Sequence, residues 1–235
     1  MTLLPRAVGV KELMDEPSVP GRELERALAD LRAVNRWLGG ARSVLAPLLG
    51  MIRGEGLGEV SVLDVATGSG DLPLALSSWG ERAGVRLRVT GLDAHPLTTA
   101  LARAHSGGDE RVSLARGDAG ALPFGDGGFD FAICSTTLHH FDAEAAVLVL
   151  REMARVARRG GVVGDLRRSV PGLFATRFLA ATLWRTHPVT RHDGPLSVRR
   201  AYTLAEVRAL AARAGLTRVA VSRAFPFRLA LVWRP

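Results

Sequence analysis

Short apolar runs rich in β-branched residues alternate with longer amphipathic segments from residue 60 onward. The runs predict five buried strands, at residues 60–66, 85–94, 111–119, 129–138 and 161–166. The segments between them predict helices, at residues 71–84, 96–106 and 142–157. Strands that alternate with helices at this spacing indicate right-handed crossovers and a doubly wound, mostly parallel α/β sheet.

The two ends of the chain break this alternation. Before the first strand, residues 21–38 predict an amphipathic helix, because leucines recur there near helical spacing. After the fifth strand, residues 167–200 are apolar and basic. The pattern then predicts one helix and two closing strands, at residues 202–215, 217–224 and 227–234.

An acid and two glycines stand where the first predicted strand leads into the first helix. The stretch VLDVATGSGDLPLAL, residues 62–76, places Gly68 and Gly70 in that turn and Asp64 in front of it. In a doubly wound sheet, ligands bind beyond the carboxyl ends of the strands, where glycines let the backbone approach and a helix N-terminus offers free N–H groups. A tight turn that needs positive φ explains one glycine, but not the pair together with Asp64 and Asp71. The pattern therefore predicts a cofactor site at this edge.

The acid at the end of the second predicted strand bears on the kind of cofactor. Asp93 stands where a carboxylate can hold both hydroxyls of a ribose, which suits either a nicotinamide cofactor or S-adenosylmethionine. A nicotinamide fingerprint, G-x-G-x-x-G aligned on Gly68 and Gly70, needs a third glycine where the chain has Pro73. The fingerprint therefore matches imperfectly, and Asp93 alone does not decide between the two cofactors.

Four motifs follow one another between about residues 60 and 166. They are VLDVATGSGD, GLDA, GDAGALPFGDGGFD and REMARVARRGG; each is weak alone, but the combination is specific. In this order they resemble class I S-adenosylmethionine-dependent methyltransferases. The further motifs LHHF, RHDGPLS and FPFRLALV are similar to those of the small-molecule (quinone and phenol) methyltransferases found beside bacterial type III polyketide synthases.

The resemblance implies a Rossmann-like methyltransferase fold, with a seven-stranded sheet whose last strand runs antiparallel and with a helical lid. It implies one domain over residues 1–235, made of an N-terminal helical cover, a cofactor-binding core, a substrate lid and a closing helix with strands. These parts correspond to residues 1–58, 59–166, 167–200 and 201–235.

The resemblance also implies S-adenosylmethionine as the cofactor. The residues that it assigns to cofactor binding are Asp64, Ala66, Gly68, Gly70, Asp93, Ala94, Asp118 and Ala119. By this likeness, Asp64 organises the turn and faces the aminopropyl group, Asp93 holds the ribose, and Asp118 with the amide of Ala119 contacts the adenine.

Two histidines follow the fourth predicted strand at the same edge of the sheet. If the acceptor is a phenol or an enol, a base within hydrogen-bond reach helps to remove its proton, and His139 or His140 is the candidate. The alternative is that the pair caps a helix or bonds a carbonyl. We expect no metal, because the histidines lack the C-x-x-C or H-x-x-x-H spacing of a dedicated site and transfer from a sulfonium needs no Lewis acid.

Residues 167–200 are expected to arch over this edge as the acceptor lid. The residues that we expect to bind the acceptor are Trp37, Phe174, Phe178, Arg191 and His192. The alternative for the lid aromatics is plain packing onto the sheet. The alternative for the polar pair is a turn fixed by Asp193, Gly194 and Pro195.

Composition and charge argue against several other classes of protein. The 235 residues carry a formal charge of +8, but Lys11 is the single lysine among many arginines and no nucleic-acid-binding motif accompanies them. No uncharged apolar stretch is long enough for a membrane span, and the N-terminus lacks the apolar core of a signal peptide, so we expect a cytoplasmic protein. We expect a small-molecule acceptor as partner, no nucleic acid, and a monomer or homodimer.

The sequence thus predicts methyl transfer from S-adenosylmethionine to a small phenolic or quinol acceptor, as O-methylation in bacterial secondary metabolism. Three alternatives stay open: carbon methylation of a quinol, a nicotinamide-dependent oxidoreductase, and a catalytically silent fold that binds a partner or nucleic acid through its arginines.

Overall fold

Seven strands form the central sheet in the computed structural model, which describes residues 4–16 and 18–235. The strands are β1 Glu59–Val65, β2 Arg86–Asp93, β3 Val112–Arg116, β4 Phe131–Ser135, β5 Gly161–Leu166, β6 Ala220–Ala224 and β7 Arg228–Trp233. Their order across the sheet is β3-β2-β1-β4-β5-β7-β6. Strands β1 to β5 pair in parallel, whereas β7 runs antiparallel to both of its neighbours. The predicted seven-stranded sheet with an antiparallel last strand is confirmed.

Helices cover both faces of this sheet. They are α1 Gly21–Trp37, α2 Gly40–Gly54, α3 Asp71–Ala83, α4 Pro96–Ser106, α5 Ala143–Val156, α6 Val170–Ala181, α7 Pro188–Arg200 and α8 Leu204–Arg213. One apolar core packs α2 and α3 against the sheet, and a second packs α5 and α8 against the opposite face. The predicted doubly wound arrangement follows from these two cores.

The predicted N-terminal cover contains two helices. Helix α1 matches the predicted segment, and α2, which the sequence pattern did not single out, packs against β4, β5 and β7. Gly164 of β5 permits this approach, since a Cβ there would lie 2.4 Å from Ser43 Oγ. Residues 1–3 and 17 of the cover lie outside the described residues.

The predicted lid consists of helices α6 and α7, which pack against each other. The alternative of a turn at Asp193, Gly194 and Pro195 is wrong, because all three residues lie inside α7. Gly194 is required there by close packing, since a Cβ would lie 2.8 Å from the ring of Trp184. Within the described ranges, no helix has the length and apolar character that crossing a bilayer would require.

Candidate functional site

A cavity of about 910 Å³ opens at the carboxyl ends of the parallel strands. The turns that follow β1, β2, β3 and β4 form its floor, and α1, α6 and α7 contribute its walls. Its volume lies near the upper end of the range for small-molecule sites, about 300–1,000 Å³. One continuous space therefore reaches both the glycine turn and the double histidine.

The glycine turn after β1 presents its backbone to this cavity. Ala66, Gly68 and Gly70 all have positive φ, at 56°, 57° and 74°. A Cβ on Gly68 would come no nearer to another residue than 4.0 Å, from Leu28 Cδ2, so this side of the turn is open. Gly70 instead faces α4, where a Cβ would lie 3.5 Å from Ala102 Cβ. Of the two predicted glycines, Gly68 lines the cavity and Gly70 shapes the turn from behind.

Asp93, at the end of β2, forms a hydrogen bond to the glycine turn. Its Oδ2 accepts a hydrogen bond from the Gly68 N–H at 2.9 Å, and its Oδ1 accepts one from the His95 N–H at 2.9 Å. Burial raises the pKa of Asp93, and these two hydrogen bonds oppose that rise. Each carboxylate oxygen keeps a second lone pair, so the residue can still accept from a ligand in the cavity.

Four more of the residues predicted to contact the cofactor lie at the cavity. Ala66, Ala94, Asp118 and Ala119 line the cavity together with Asp93. Asp118 is exposed, and its Oδ1 accepts a hydrogen bond from the Gly120 N–H at 2.8 Å, which holds the turn after β3 in shape.

Asp64 lies beneath the glycine turn instead of facing the cavity. Its side chain is completely buried, with Oδ2 accepting from Thr67 Oγ1 at 2.7 Å. Its Oδ1 has no hydrogen-bond partner within residues 4–16 and 18–235. Burial raises the pKa of Asp64 to about 8, against the hydrogen bond from Thr67. Asp64 thus lies on the buried side of the glycine turn, whereas Gly68 and Asp93 line the cavity.

His139 is a buried, ion-paired imidazole at the far end of the cavity. Its Nδ1 lies 2.7 Å from Asp165 Oδ1, and its backbone N–H donates to Asp165 Oδ2 at 2.8 Å. Its Nε2 lies 3.4 Å from Glu12 Oε1. Burial alone would lower the pKa of His139, but Asp165 and Glu12 raise it to about 10.

His140 is the more accessible of the two histidines. Its Nδ1 lies 2.7 Å from Asp15 Oδ2 and its Nε2 lies 3.6 Å from Glu12 Oε2. Both histidines border the cavity together with Glu12 and Asp15. These four side chains form what we call the polar corner.

Glu12 and Asp15 of the polar corner were missed by the sequence analysis. They lie on and beside a short 3₁₀ helix, Leu13–Asp15, which has no apolar period that would mark it. Burial alone would raise the pKa of Glu12, but His140 and His139 lower it to about 2. Asp193 of α7 holds this segment, because its carboxylate accepts from the N–H groups of Leu13 and Met14 at 2.8 and 3.0 Å.

Two arginines fix the backbone of the double-histidine loop. Arg200 Nη2 donates to the His140 carbonyl at 2.6 Å, and Arg6 Nη2 donates to the Phe141 carbonyl at 2.8 Å. Tyr202 Oη donates to the Phe141 carbonyl as well, at 2.9 Å. The loop that presents both imidazoles is therefore fixed by three side chains that do not line the cavity.

The residues predicted to bind the acceptor are mostly directed away from the cavity. Trp37 lines its mouth but is 74% exposed. Phe174 and Phe178 are 65% and 68% exposed, because they lie one turn apart on the outer face of α6. Arg191 and His192 also lie outside the lining, with His192 Nδ1 2.7 Å from Asp193 Oδ1.

The wall on the lid side is instead built from other, inward-facing apolar side chains. It includes Met14, Leu31, Val34, Leu38, Leu166, Ala175, Leu179, Trp184, Val189, Val198 and Phe227. One buried cation, Arg228, interrupts this apolar surface. It donates to the Leu38 carbonyl at 2.8 Å and to Thr136 Oγ1 at 3.0 Å, and burial lowers its pKa to about 10.

The core of the chain matches a known family of domains. Residues 62–161 match the family model described as a methyltransferase domain. Among curated proteins, the demethylmenaquinone methyltransferase of Bacillus velezensis is 35% identical over 117 residues, which cover 49% of this chain and 48% of that protein. The enzyme of the same name from Shouchella clausii is 38% identical over 113 residues, 47% of this chain and 46% of that protein. The chain thus aligns with about half the length of the curated relatives it matches.

Solved structures share the fold over most of the chain. The magnesium protoporphyrin IX methyltransferase of Synechocystis, solved with bound SAH, aligns with a TM-score of 0.58 and 20% identity over 84% of each chain. A SAM-dependent methyltransferase from Aquifex aeolicus aligns with a TM-score of 0.56 and 21% identity over 78% of this chain and 87% of that one. At these identities the two structures establish the fold, which is the predicted Rossmann-like methyltransferase fold.

Proposed function

We infer that this chain, which has the core of a class I S-adenosylmethionine-dependent methyltransferase, transfers a methyl group from S-adenosylmethionine to a small phenolic or quinol acceptor. The observation that carries the proposal is the single cavity that joins the glycine turn to a polar corner across apolar walls. The resemblance of the motifs supports O-methylation in bacterial secondary metabolism, which is part of the same proposal.

The cofactor half of the cavity fits S-adenosylmethionine. The open side of Gly68 lets a ligand approach the backbone, and Asp93 keeps free lone pairs for two ribose hydroxyls. Asp118 and the amide of Ala119, which line the next turn, would hold the adenine. When bound, the cofactor supplies a methyl group that its sulfonium already activates, so the protein mainly aligns the acceptor and excludes water.

The acceptor half of the cavity fits a flat apolar molecule with an oxygen at one end. The wall on the lid side is apolar apart from Arg228, whereas Glu12, His139 and His140 are concentrated at one end of the cavity. A phenol or quinol ring would pack on the wall and direct its hydroxyl to the polar corner. The curated relatives described above are named demethylmenaquinone methyltransferases, and this name supports a quinol in this role.

His140 is the residue that we propose contacts the acceptor hydroxyl. His139 is unsuited to accept a proton, because it is fully buried between Asp165 and Glu12 and its pKa is raised to about 10, whereas His140 is partly exposed. In the transfer, the acceptor O–H bond breaks and its proton leaves through the polar corner. The C–O bond to the methyl group forms as the C–S bond breaks, which leaves a methyl ether and a thioether.

Calorimetric titration tests the cofactor assignment first. We expect S-adenosylmethionine and S-adenosylhomocysteine to bind with micromolar or tighter dissociation constants, and NADH to give no heat. Absence of heat with both sulfur compounds would overturn the proposal. Methyl transfer to reduced naphthoquinols and simple phenols, followed by mass spectrometric location of the new methyl group, then separates O- from C-methylation.

Substitution of His140 tests the proposed role of the polar corner in the transfer. We expect His140→Gln to lower kcat by about 10²- to 10⁴-fold, the usual contribution of a positioned acid–base group, with the affinity for S-adenosylhomocysteine unchanged. His187→Gln is the matched control, because its Nδ1 also pairs with a carboxylate, Asp30 Oδ2 at 2.6 Å, but lies outside the cavity lining. Equal kcat values for the two variants would contradict the assignment.

A further inference from the structure

Three potential metal ligands meet in the polar corner. His139, His140 and Glu12 each offer one ligand atom, an imidazole nitrogen or a carboxylate oxygen, and these three atoms lie within 4.8 Å of one another. Glu12 is held between the two rings, with Oε1 3.4 Å from His139 Nε2 and Oε2 3.6 Å from His140 Nε2. Two imidazoles and one carboxylate form a ligand set that divalent transition metals prefer in proteins.

Each imidazole is already oriented by a second carboxylate. Asp165 Oδ1 lies 2.7 Å from His139 Nδ1, and Asp15 Oδ2 lies 2.7 Å from His140 Nδ1. This is the arrangement in which metal-binding histidines occur, since the outer carboxylate fixes the ring and leaves Nε2 for the ion. The chain thus supplies three ligands and two outer partners.

The spacing of the ligand atoms matches the coordination distances of such an ion. Two ligands at about 2.0–2.1 Å from a tetrahedral ion lie about 3.4 Å apart. The separations of 3.4 Å from His139 Nε2 to Glu12 Oε1 and 3.6 Å from His140 Nε2 to Glu12 Oε2 are close to this value. Oε1 of the buried Glu12 accepts no hydrogen bond from the part of the chain that the structure describes. Arg200 Nε lies 3.8 Å from this oxygen, but the guanidinium directs hydrogen bonds to the carbonyls of Val10, His139 and His140.

We propose that Glu12, His139 and His140 bind one divalent transition-metal ion, such as Zn²⁺, whose open position faces the acceptor half of the cavity. The ion would bind the acceptor oxygen and lower its pKa, so that the hydroxyl proton passes to solvent before the oxygen attacks the methyl group. This role rests on the proposed function, and the ion would take the place of His140 as the group that activates the hydroxyl. The sequence analysis expected no metal, because it could not place Glu12 beside the two histidines.

Cobalt binding to the metal-free protein tests the site without cofactor or acceptor. After treatment with a chelator, Co²⁺ is titrated and followed by its visible absorption, which is intense in a tetrahedral site. We expect one equivalent to bind and Zn²⁺ to displace it. We expect Glu12→Gln and His140→Gln to abolish the stoichiometric signal, and Asp15→Asn to weaken the affinity by about 10- to 100-fold as loss of an outer partner does.

His187→Gln is again the control and should bind Co²⁺ as the wild type does. Retained binding of S-adenosylhomocysteine by each variant shows that it is folded. No stoichiometric Co²⁺ signal in the wild type, or equal affinity in all variants, overturns the metal site. Neither result affects the calorimetric test of the cofactor, so the two proposals fail separately. His140→Gln is expected to lose activity whether His140 acts directly or binds the ion. Metal binding, and not activity, therefore decides between these two roles.

Discussion

Replacement of Asp93 by alanine is expected to weaken the binding of S-adenosylhomocysteine at least about 100-fold. The carboxylate would accept hydrogen bonds from both ribose hydroxyls, and each bond to a charged group contributes about 1.5–3 kcal/mol. Loss of both therefore costs about 3 kcal/mol or more, which is about two decades in the dissociation constant. The variant also leaves the N–H groups of Gly68 and His95 without their acceptor, which loosens the glycine turn.

Two further variants serve as comparisons in the calorimetric titration: Asp93→Asn as the conservative change and Asp109→Ala as the control. The asparagine keeps the shape of the side chain but only one acceptor oxygen, so we expect an intermediate loss of affinity. Asp109 lies in the turn before β3, where it binds Ser77 and Arg111 away from the cavity, and its loss should leave the affinity unchanged. If Asp93→Ala binds as tightly as Asp109→Ala, the ribose assignment is wrong.

The core could be predicted because local sequence and tertiary environment agree there. The fifth strand was predicted with the observed bounds, 161–166, and the first strand within one residue of its bounds. The third strand was predicted to extend to residue 119, but β3 ends at Arg116. Its continuation, residues 117–119, turns into the cavity instead, so the prediction extended a strand through a turn that lines the cavity.

The lining of the cavity on the lid side could not be predicted, because it depends on which face of each lid helix is turned inward. Nothing in the sequence indicates that Leu179 lines the cavity while Phe174 and Phe178 are exposed, since all three are apolar and α6 is apolar on most of its surface. Contact with α7 decides the orientation. Phe174 and Phe178 suggested a wall, but α6 contributes Ala175 and Leu179 from another face of the helix, and the aromatic ring of Trp184 lines the cavity beside them.

The polar corner shows a second limit of sequence analysis. His139 and His140 could be placed at the sheet edge from their position after the fourth strand, but Glu12 lies more than a hundred residues earlier, in a segment with no regular pattern. Asp193, which looked like a turn residue, is the side chain that fixes this segment against α7. Contacts of this kind are formed by tertiary packing, and the spacing of residues along the chain does not reveal them.

We expect the free energy of unfolding of the wild type to fall as the pH rises from 5 to 8. Substitution of Asp64 by asparagine should remove this fall. Burial raises the pKa of Asp64 from 3.8 in the unfolded chain to about 8 in the folded one. Between these values the folded chain binds more protons than the unfolded chain, so the free energy of unfolding falls with rising pH and levels above about 8. The full difference corresponds to up to about 6 kcal/mol.

Asparagine resembles the neutral carboxylic acid in shape and can still accept from Thr67 Oγ1, so Asp64→Asn should keep the low-pH stability throughout this range. Urea unfolding at pH 5 and pH 8 measures the effect, and the two proteins should differ by several kcal/mol more at pH 8. Asp109→Asn is the control, because Arg111 and Ser77 lower the pKa of Asp109 to about 2 and its contribution changes only below this range. A parallel pH dependence of Asp64→Asn and the wild type would mean that Asp64 is ionised in the folded protein, and that its buried oxygen is stabilised by a partner such as an ordered water.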